Sequence, residues 1–588
     1  MKEKIELDRI DKQVEAAALR HYGSTFRFRP NQKEAIVNTI FNWLTGNTTD
    51  VILQGPTGSG KSAIGMLVAA VLSEDYGKTG YIVISDLSLI QQYERDCEKF
   101  FNNYAVLKGQ QTYMCSQNGL TFNNGTCKLS GCKSYGDIYS KFPVCSEECE
   151  YLLERRKAIK SPVVVCTYSF WLIQQNVVKP KVDGPVPFDT RDFVICDEAH
   201  KLVSIVQSHF SPALSESDTG KFRSIIEAAS ENDISTVDNL SMIRERIKFC
   251  ERNDVILDLL REYVDALAVV VDAADVVKRD IGERLESGEK VSKSDRALVH
   301  NADFIEDHYE NFKEYVKIID KSGISAMVKN PNGDKILFNC IDESYLMGKY
   351  FHSNCGYKMY MSATIGDPQA YANDISASGF VSIDIPSTFD FTQSPIFYVN
   401  NYKLSYNDKK YTFPKIVDMI ISVINMYAGK RGIVQTGSYE FAKQLIEFVP
   451  DDIRRRMIIY DGSKEKDDAI SLFKLKEDGI LVGPTLVEGL SFDDDLCRFQ
   501  IVMKVPYPSL ADKFVKAKQA LKPEWYSNTT AISILQGVGR GIRSEKDWCV
   551  TFILDGCFAY LMQKSYKMFP KEFMNRIKTI TPGVLGCN

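Results

Sequence analysis

The segment Gly55-Pro56-Thr57-Gly58-Ser59-Gly60-Lys61-Ser62 follows the apolar run Val51-Ile52-Leu53 and precedes Ala63-Ile64-Gly65-Met66-Leu67-Val68, which has helical apolar spacing. Strand, glycine-rich turn and helix in that order make G-x-x-x-x-G-K-S a phosphate-binding loop. Gly55, Gly58 and Gly60 let the backbone curl so that successive N–H groups, those of Thr57 and Ser59 included, face phosphate oxygens. The helix dipole adds to that anion site. Lys61 is expected at the β- and γ-phosphates of ATP, and the Ser62 hydroxyl on Mg²⁺. Gln32, ahead of the loop, offers both a donor and an acceptor to an adenine edge, which favours ATP over GTP.

A second constellation closes the strand Phe193-Val194-Ile195-Cys196 with Asp197-Glu198-Ala199-His200. Asp197 suits Mg²⁺ through its water shell, and Glu198 suits the general base that polarises an attacking water. His200 is placed to sense the γ-phosphate or to link to a second lobe. A third constellation is Gln536-Gly537-Val538-Gly539-Arg540-Gly541-Ile542-Arg543. On a helix Gln536, Gly539, Arg540 and Arg543 share one face. Arg540 and Arg543 there could reach a γ-phosphate as arginine fingers, or form a solvated helix face.

These residues need parallel sheets to position them. Tyr81-Ile82-Val83-Ile84, Val163-Val164-Val165 and Lys358-Met359-Tyr360-Met361 read as strands alternating with helical segments. A second such unit begins near 366, with strands at Gly432-Ile433-Val434-Gln435, Gly479-Ile480-Leu481-Val482 and Val550 to Leu554. Residues 1–20 read as a short amphipathic helix. Residues 201–345 show helical spacing with many charges and no catalytic constellation. At 588 residues, several domains are expected.

The net charge of −5 leaves no general basic coat, so a nucleic-acid partner needs a local groove. The run Arg155-Arg156-Lys157 through Lys160 suits such a track, or a charged helix face. The charged N-terminus lacks a secretory apolar segment, and no apolar run approaches the ~18 residues that span a bilayer. A cytoplasmic or nucleoid-associated protein with no membrane partner is expected. Fifteen cysteines without an export signal argue against a disulfide framework. Five of them, Cys115, Cys127, Cys132, Cys145 and Cys149, crowd together, and their spacing alone suits zinc or an iron–sulfur cluster equally.

The motif set resembles the DinG/XPD family of superfamily 2 DNA helicases, across roughly 22–200 and 360–560. The resemblance rests on Phe28-Arg29-Pro30-Asn31-Gln32, the phosphate loop, Asp197-Glu198-Ala199-His200, Ser362-Ala363-Thr364, Ser387-Thr388-Phe389-Asp390, Val487-Glu488-Gly489-Leu490 and Gln536 to Arg543. It implies two RecA-like parallel-sheet ATPase lobes in an α/β fold, with an iron–sulfur insertion and a helical arch insertion. The expected division is 1–101, 161–200 and 346–365 for the first lobe, 102–160 for the iron–sulfur insertion, 201–345 for the arch and 366–588 for the second lobe. Leu107 to Cys115 and Cys149 to Lys157 resemble the segments holding the family's first and last ligands. That implies a [4Fe–4S] cluster on Cys115, Cys127, Cys132 and Cys149, with Cys145 the reserve ligand.

The resemblance further implies a monomeric motor that hydrolyses ATP with Mg²⁺ and moves 5′ to 3′ on single-stranded DNA. Forked DNA is the implied substrate, with RNA–DNA hybrid as a further one. Lys61, Glu198, Gln536, Arg540 and Arg543 carry hydrolysis, and Ser362-Ala363-Thr364 with Glu488-Gly489 couple it to DNA. Ser85-Asp86-Leu87 stands where the family carries threonines, Ser491 where it carries an Asp, and Gly556-Cys557 replace its usual residues. None of those roles is carried over. A translocase without processive unwinding and a scaffold with a switch-like ATP site are the alternatives.

Overall fold

The computed structural model describes the chain except residues 1, 57, 117, 122–123, 126–148, 182–187, 230–233, 388, 401, 405–408, 461–464, 485–491, 493, 543–546 and 588. At 2, 88, 181, 286, 409, 494 and 540 only the backbone is described.

The first lobe is a seven-stranded sheet in the order Val381–Asp384, Asp50–Gln54, Tyr357–Ser362, Phe193–Asp197, Gly80–Ile84, Val163–Thr167, Ala105–Leu107. Every neighbouring pair is parallel. Its β-branched runs are buried, as a sheet covered on both faces requires. The helices Lys2–Tyr22, Gln32–Leu44 and Lys61–Tyr76 pack together, with Ile10, Val14, Ile36, Ile40 and Ile64 in a shared core. The carboxyl ends of Asp50–Gln54, Tyr357–Ser362 and Phe193–Asp197 lie side by side, so three separate motifs meet at one sheet edge.

The second lobe is also seven-stranded and parallel, in the order Met457–Ile459, Ile480–Gly483, Gly432–Gln435, Phe499–Val502, Val550–Ile553, Ile396–Val399, Ile577–Ile580. The sequence reading started this lobe at 366. The structure instead adds Val381–Asp384 to the first sheet, pairing Val51 with Val381 through Gln54 with Asp384.

Between the acidic strand end and Tyr357–Ser362, the chain builds the helices Asp218–Ala228, Ile234–Phe249, Asn253–Glu286 and Lys293–Ser322. Ile256, Leu260, Tyr263, Leu267, Val270, Ala274, Val277 and Ile281 recur at helical spacing and are all buried. The exposed connection after Glu286 is followed by a capping box, Ser292 with Asp295. An antiparallel sheet of Ala213–Ser215, Lys335–Cys340 and Met327–Asn332 was not foreseen. A second-lobe helix, Lys513–Leu521, lies against Met327–Asn332. There Lys518 and Lys522 both pair with the buried Glu343, and Lys522 also meets Asp374 at 3.6 Å. His300 of the long helix Lys293–Ser322 meets Asn124 of the cysteine segment at 2.8 Å. No helix among the described residues is long and apolar enough to cross a membrane.

Candidate nucleotide and coupling site

The phosphate loop leaves the strand Asp50–Gln54 and ends where the helix Lys61–Tyr76 begins. Gly58 and Gly60 have φ of +83° and +80°, a region costly to side-chain-bearing residues. Each also meets a neighbour closely. A Cβ on Gly58 would lie 2.6 Å from Phe389 Cζ, and one on Gly60 would lie 2.2 Å from Gln32 Nε2. The Gly55 N–H donates to Ser362 O at 3.1 Å. Lys61 Nζ donates to Gly55 O at 2.8 Å. Thr57 lies outside the described residues.

Gln32 opens the helix Gln32–Leu44 and is buried. Its Nε2 donates to Ser59 O at 2.8 Å, and its Oε1 accepts the Arg29 N–H at 2.7 Å. The sequence reading put this amide at an adenine edge. In the structure its donor end lies on the phosphate loop and its acceptor end on the segment leading into its own helix.

Asp197 is buried at the end of its strand. Its Oδ1 accepts the Glu198 N–H at 2.9 Å, and its Oδ2 accepts the Tyr93 hydroxyl at 2.9 Å. Burial, then Glu198, push the Asp197 carboxyl up to about 6, against the pull of Lys61. Glu198 has φ of +51°, a left-handed turn that a non-glycine residue adopts at a cost of about 1 kcal/mol.

That turn delivers His200 to the second lobe. His200 Nδ1 lies 2.8 Å from Ser362 Oγ and 3.3 Å from Glu198 Oε2. Gln536 Nε2 donates to His200 Nε2 at 2.7 Å and to Thr364 Oγ1 at 3.1 Å. Since the amide donates, the Nε2 of a neutral His200 is the acceptor and its Nδ1 carries the proton toward Ser362. The Thr364 N–H closes the group by donating to Ser362 Oγ at 3.1 Å.

The shared helix face expected for Gln536, Gly539, Arg540 and Arg543 is corrected. The helix Pro523–Val538 stops there, Gly539–Gly541 tightens into a 3₁₀ turn, and Ile542 is extended. Two glycines weaken the helix. Gly541 also sits where a Cβ would meet Cys549 Sγ at 2.5 Å. Only the backbone of Arg540 is described, and Arg543, Glu488 and Gly489 lie outside the described residues.

In the cysteine segment Cys115 and Cys149 are buried, while Cys127, Cys132 and Cys145 lie outside the described residues. Cys149 precedes the helix Glu150–Lys160 and makes no side-chain capping hydrogen bond, its sulfur lying near the N–H groups of Leu152 and Tyr151. Burial raises the thiol, those N–H groups oppose it, and Cys115 adds a smaller push upward. A buried cysteine at a helix start, with a second buried cysteine, Cys115, in the same segment, fits a thiolate ligand. Among the described residues no group of three or more His, Cys, Asp or Glu gathers to hold a metal. Arg155 does not belong to an exposed basic track. It is buried, donates to Tyr151 Oη at 3.1 Å and lies over the Phe188 ring.

Tyr93 and Phe389 are the contacts that motif reading did not single out as individual residues. In sequence, Tyr93 is one aromatic in an amphipathic helix, and nothing separates it from a core residue.

Residues 25–233 match the family model "Type III restriction enzyme, res subunit", and residues 420–576 match "Helicase C-terminal domain". A probable ATP-dependent helicase of Methanocaldococcus jannaschii is 26% identical over 28% of this chain and 27% of that protein. The ATP-dependent DNA helicase CHL1 of Kluyveromyces lactis is 27% identical over 17% of this chain and 14% of its own length. The chain thus covers about a quarter or less of these curated relatives. A solved structure titled XPD helicase superposes with TM-score 0.64 at 16% identity, covering 95% of this chain and all of that one (100%). The Xpd4 structure from S. tokodaii gives 0.59 at 14% identity, covering 94% of this chain and 100% of that one.

Proposed function

Because this chain belongs to the XPD/DinG-like superfamily 2 helicases, we propose that it is an ATP-dependent DNA helicase, moving 5′ to 3′ on single-stranded DNA and opening duplex ahead. The observation that supports this most is the contact of Gln536 with His200 and Thr364. It joins the acidic turn of one lobe to the helix that leads into Arg540 in the other. A motor needs such a link, because hydrolysis at one lobe must be felt by its partner.

In this reading the loop residues Gly55 and Thr57 to Gly60, with the Lys61 ammonium, bind the ATP phosphates. Ser62 and Asp197 present a hard oxygen pair and hold Mg²⁺, which supplies charge neutralisation on the phosphates. Glu198 orients the attacking water and accepts its proton. Arg540 and Arg543 complete the site from the second lobe when the cleft closes. Gln32 keeps the loop in its binding shape.

The same reading makes the iron–sulfur insertion the part of 102–160 that follows Ala105–Leu107, a strand the structure gives to the first sheet, with Cys115, Cys127, Cys132 and Cys149 as ligands and Cys145 in reserve. A [4Fe–4S] cluster there supplies rigid cross-linking of the segment. Residues 201–345 act as the arch, and the chain works as a monomer on single-stranded and forked DNA and on RNA–DNA hybrid.

Strand displacement on duplexes carrying only a 5′ or only a 3′ tail tests the proposal. Displacement from the 5′ tail alone, abolished by Lys61→Ala, is the expected result. DNA-stimulated turnover without displacement would select a translocase. Absence of any DNA-stimulated turnover would leave a binding scaffold and overturn the motor.

A further inference from the structure

The helix Leu87–Phe100 follows the strand Gly80–Ile84 and carries Tyr93 to the end of the strand Phe193–Asp197. Its outward residues Gln91 and Gln92 are exposed, whereas Tyr93 is wholly buried. The Tyr93 hydroxyl donates to Asp197 Oδ2 at 2.9 Å, and the Ser62 side chain lies beside the same phenol. A phenol has one proton to give and an oxygen that can accept. Asp197 takes the proton, which fixes the direction of that bond. The other Asp197 oxygen is already held by the Glu198 N–H.

We propose that Tyr93 is a positioning residue for the Mg²⁺–nucleotide site, holding Asp197 in the placement that a cation shared with Ser62 needs and fixing that placement to the helix Leu87–Phe100. Groups that orient metal ligands from behind commonly change metal affinity about 10- to 100-fold when removed. The inference rests on the ATPase reading only in taking Ser62 and Asp197 as the cation's ligands.

Binding of N-methylanthraniloyl-ADP to the full chain, titrated with MgCl₂, tests it without requiring turnover. Tyr93→Phe removes one oxygen and keeps the ring. Tyr81→Phe is the control, because Tyr81 is equally buried and donates to Asp189 O at 2.9 Å, among strand residues of the same lobe. The Mg²⁺ midpoint for tightened binding should rise about tenfold in Tyr93→Phe, with Mg²⁺-free affinity held within about twofold. Tyr81→Phe should leave both unchanged. In a Ser62→Ala background the Tyr93→Phe change should add less than about threefold, since the two then act on one ligand set.

An unmoved Mg²⁺ midpoint in Tyr93→Phe, an equal shift in Tyr81→Phe, or a full tenfold addition over Ser62→Ala would each overturn the inference. The two readings fail separately. Loss of DNA-stimulated turnover with a shifted midpoint defeats the motor alone; an unshifted midpoint in a DNA-stimulated enzyme defeats the role of Tyr93 alone.

Discussion

Phe389, from the segment between the lobes, lies against Gly58 of the phosphate loop so closely that a methyl group there would stand 2.6 Å from the ring. On its other side the ring packs with Phe391 against the second-lobe core that contains Ile542, Cys497 and Cys549. One aromatic thus touches the loop of one lobe and the packing behind the arginine turn of the other.

Gly58→Ala should therefore lose nucleotide binding for two reasons, the φ of +83° and the clash with Phe389. A fall of more than about tenfold in ADP affinity is expected, the backbone term alone being about 1–2 kcal/mol. Adding Phe389→Ala should restore only part of it, because the backbone strain stays. Full restoration would place the whole effect in the ring.

Gln536→Ala removes the amide that reaches His200 and Thr364. DNA stimulation of ATPase should drop while ADP affinity is preserved. In a double-mutant cycle with His200→Ala, the coupling should be about 0.5–3 kcal/mol in DNA-stimulated turnover. Additive losses would separate the two side chains.

Cys149→Ser tests the cysteine segment. Iron content measured anaerobically should fall together with strand displacement, and ATP binding should persist. Colourless wild-type protein carrying zinc would replace the cluster with a zinc site.

Asp374 bears on pH. Burial, then Glu343, push its carboxyl up to about 6, against Lys522 and Lys518. A raised carboxyl favours the folded state while protonated, so that contribution is present below the unfolded value near 3.8 and is lost as pH rises through about 6. Asp374→Asn should raise the melting temperature by about 2–4 °C at pH 8 and leave it unchanged at pH 4. The opposite sign would mean that its pairing with Lys522 outweighs its burial.

What could be read from the sequence was what is written locally. The phosphate loop and the Asp197 turn each sit directly after an apolar strand, so strand, turn and chemistry lie within a few residues. The strand Val381–Asp384 was missed because its residues alternate between half-buried and exposed, as an edge strand allows, and its partner lies far earlier in the chain. Phe499–Val502 was obscured by Gln500, a polar residue that is buried because its Nε2 donates to Val538 O and Thr551 Oγ1. Arg155 looked like part of a basic face, and only the fold supplies Tyr151 and Phe188 to receive it. The two ends of the Gln32 amide were likewise unforeseeable, because the left-handed Gly60 brings the loop onto it.

The placement of Val381–Asp384 beside Asp50–Gln54 also fixes the length of a leash. Residues 385–395 start one strand spacing, about 4.8 Å, from the strand that feeds the phosphate loop, and end at Ile396 in the second sheet. In the proposed motor the arginine turn then reaches the nucleotide on a short intramolecular tether anchored almost at its target. Such tethers hold their ends at effective concentrations of about millimolar. Reopening after hydrolysis is then a swing of fixed radius, and the second lobe returns to the same loop on every cycle without diffusing away.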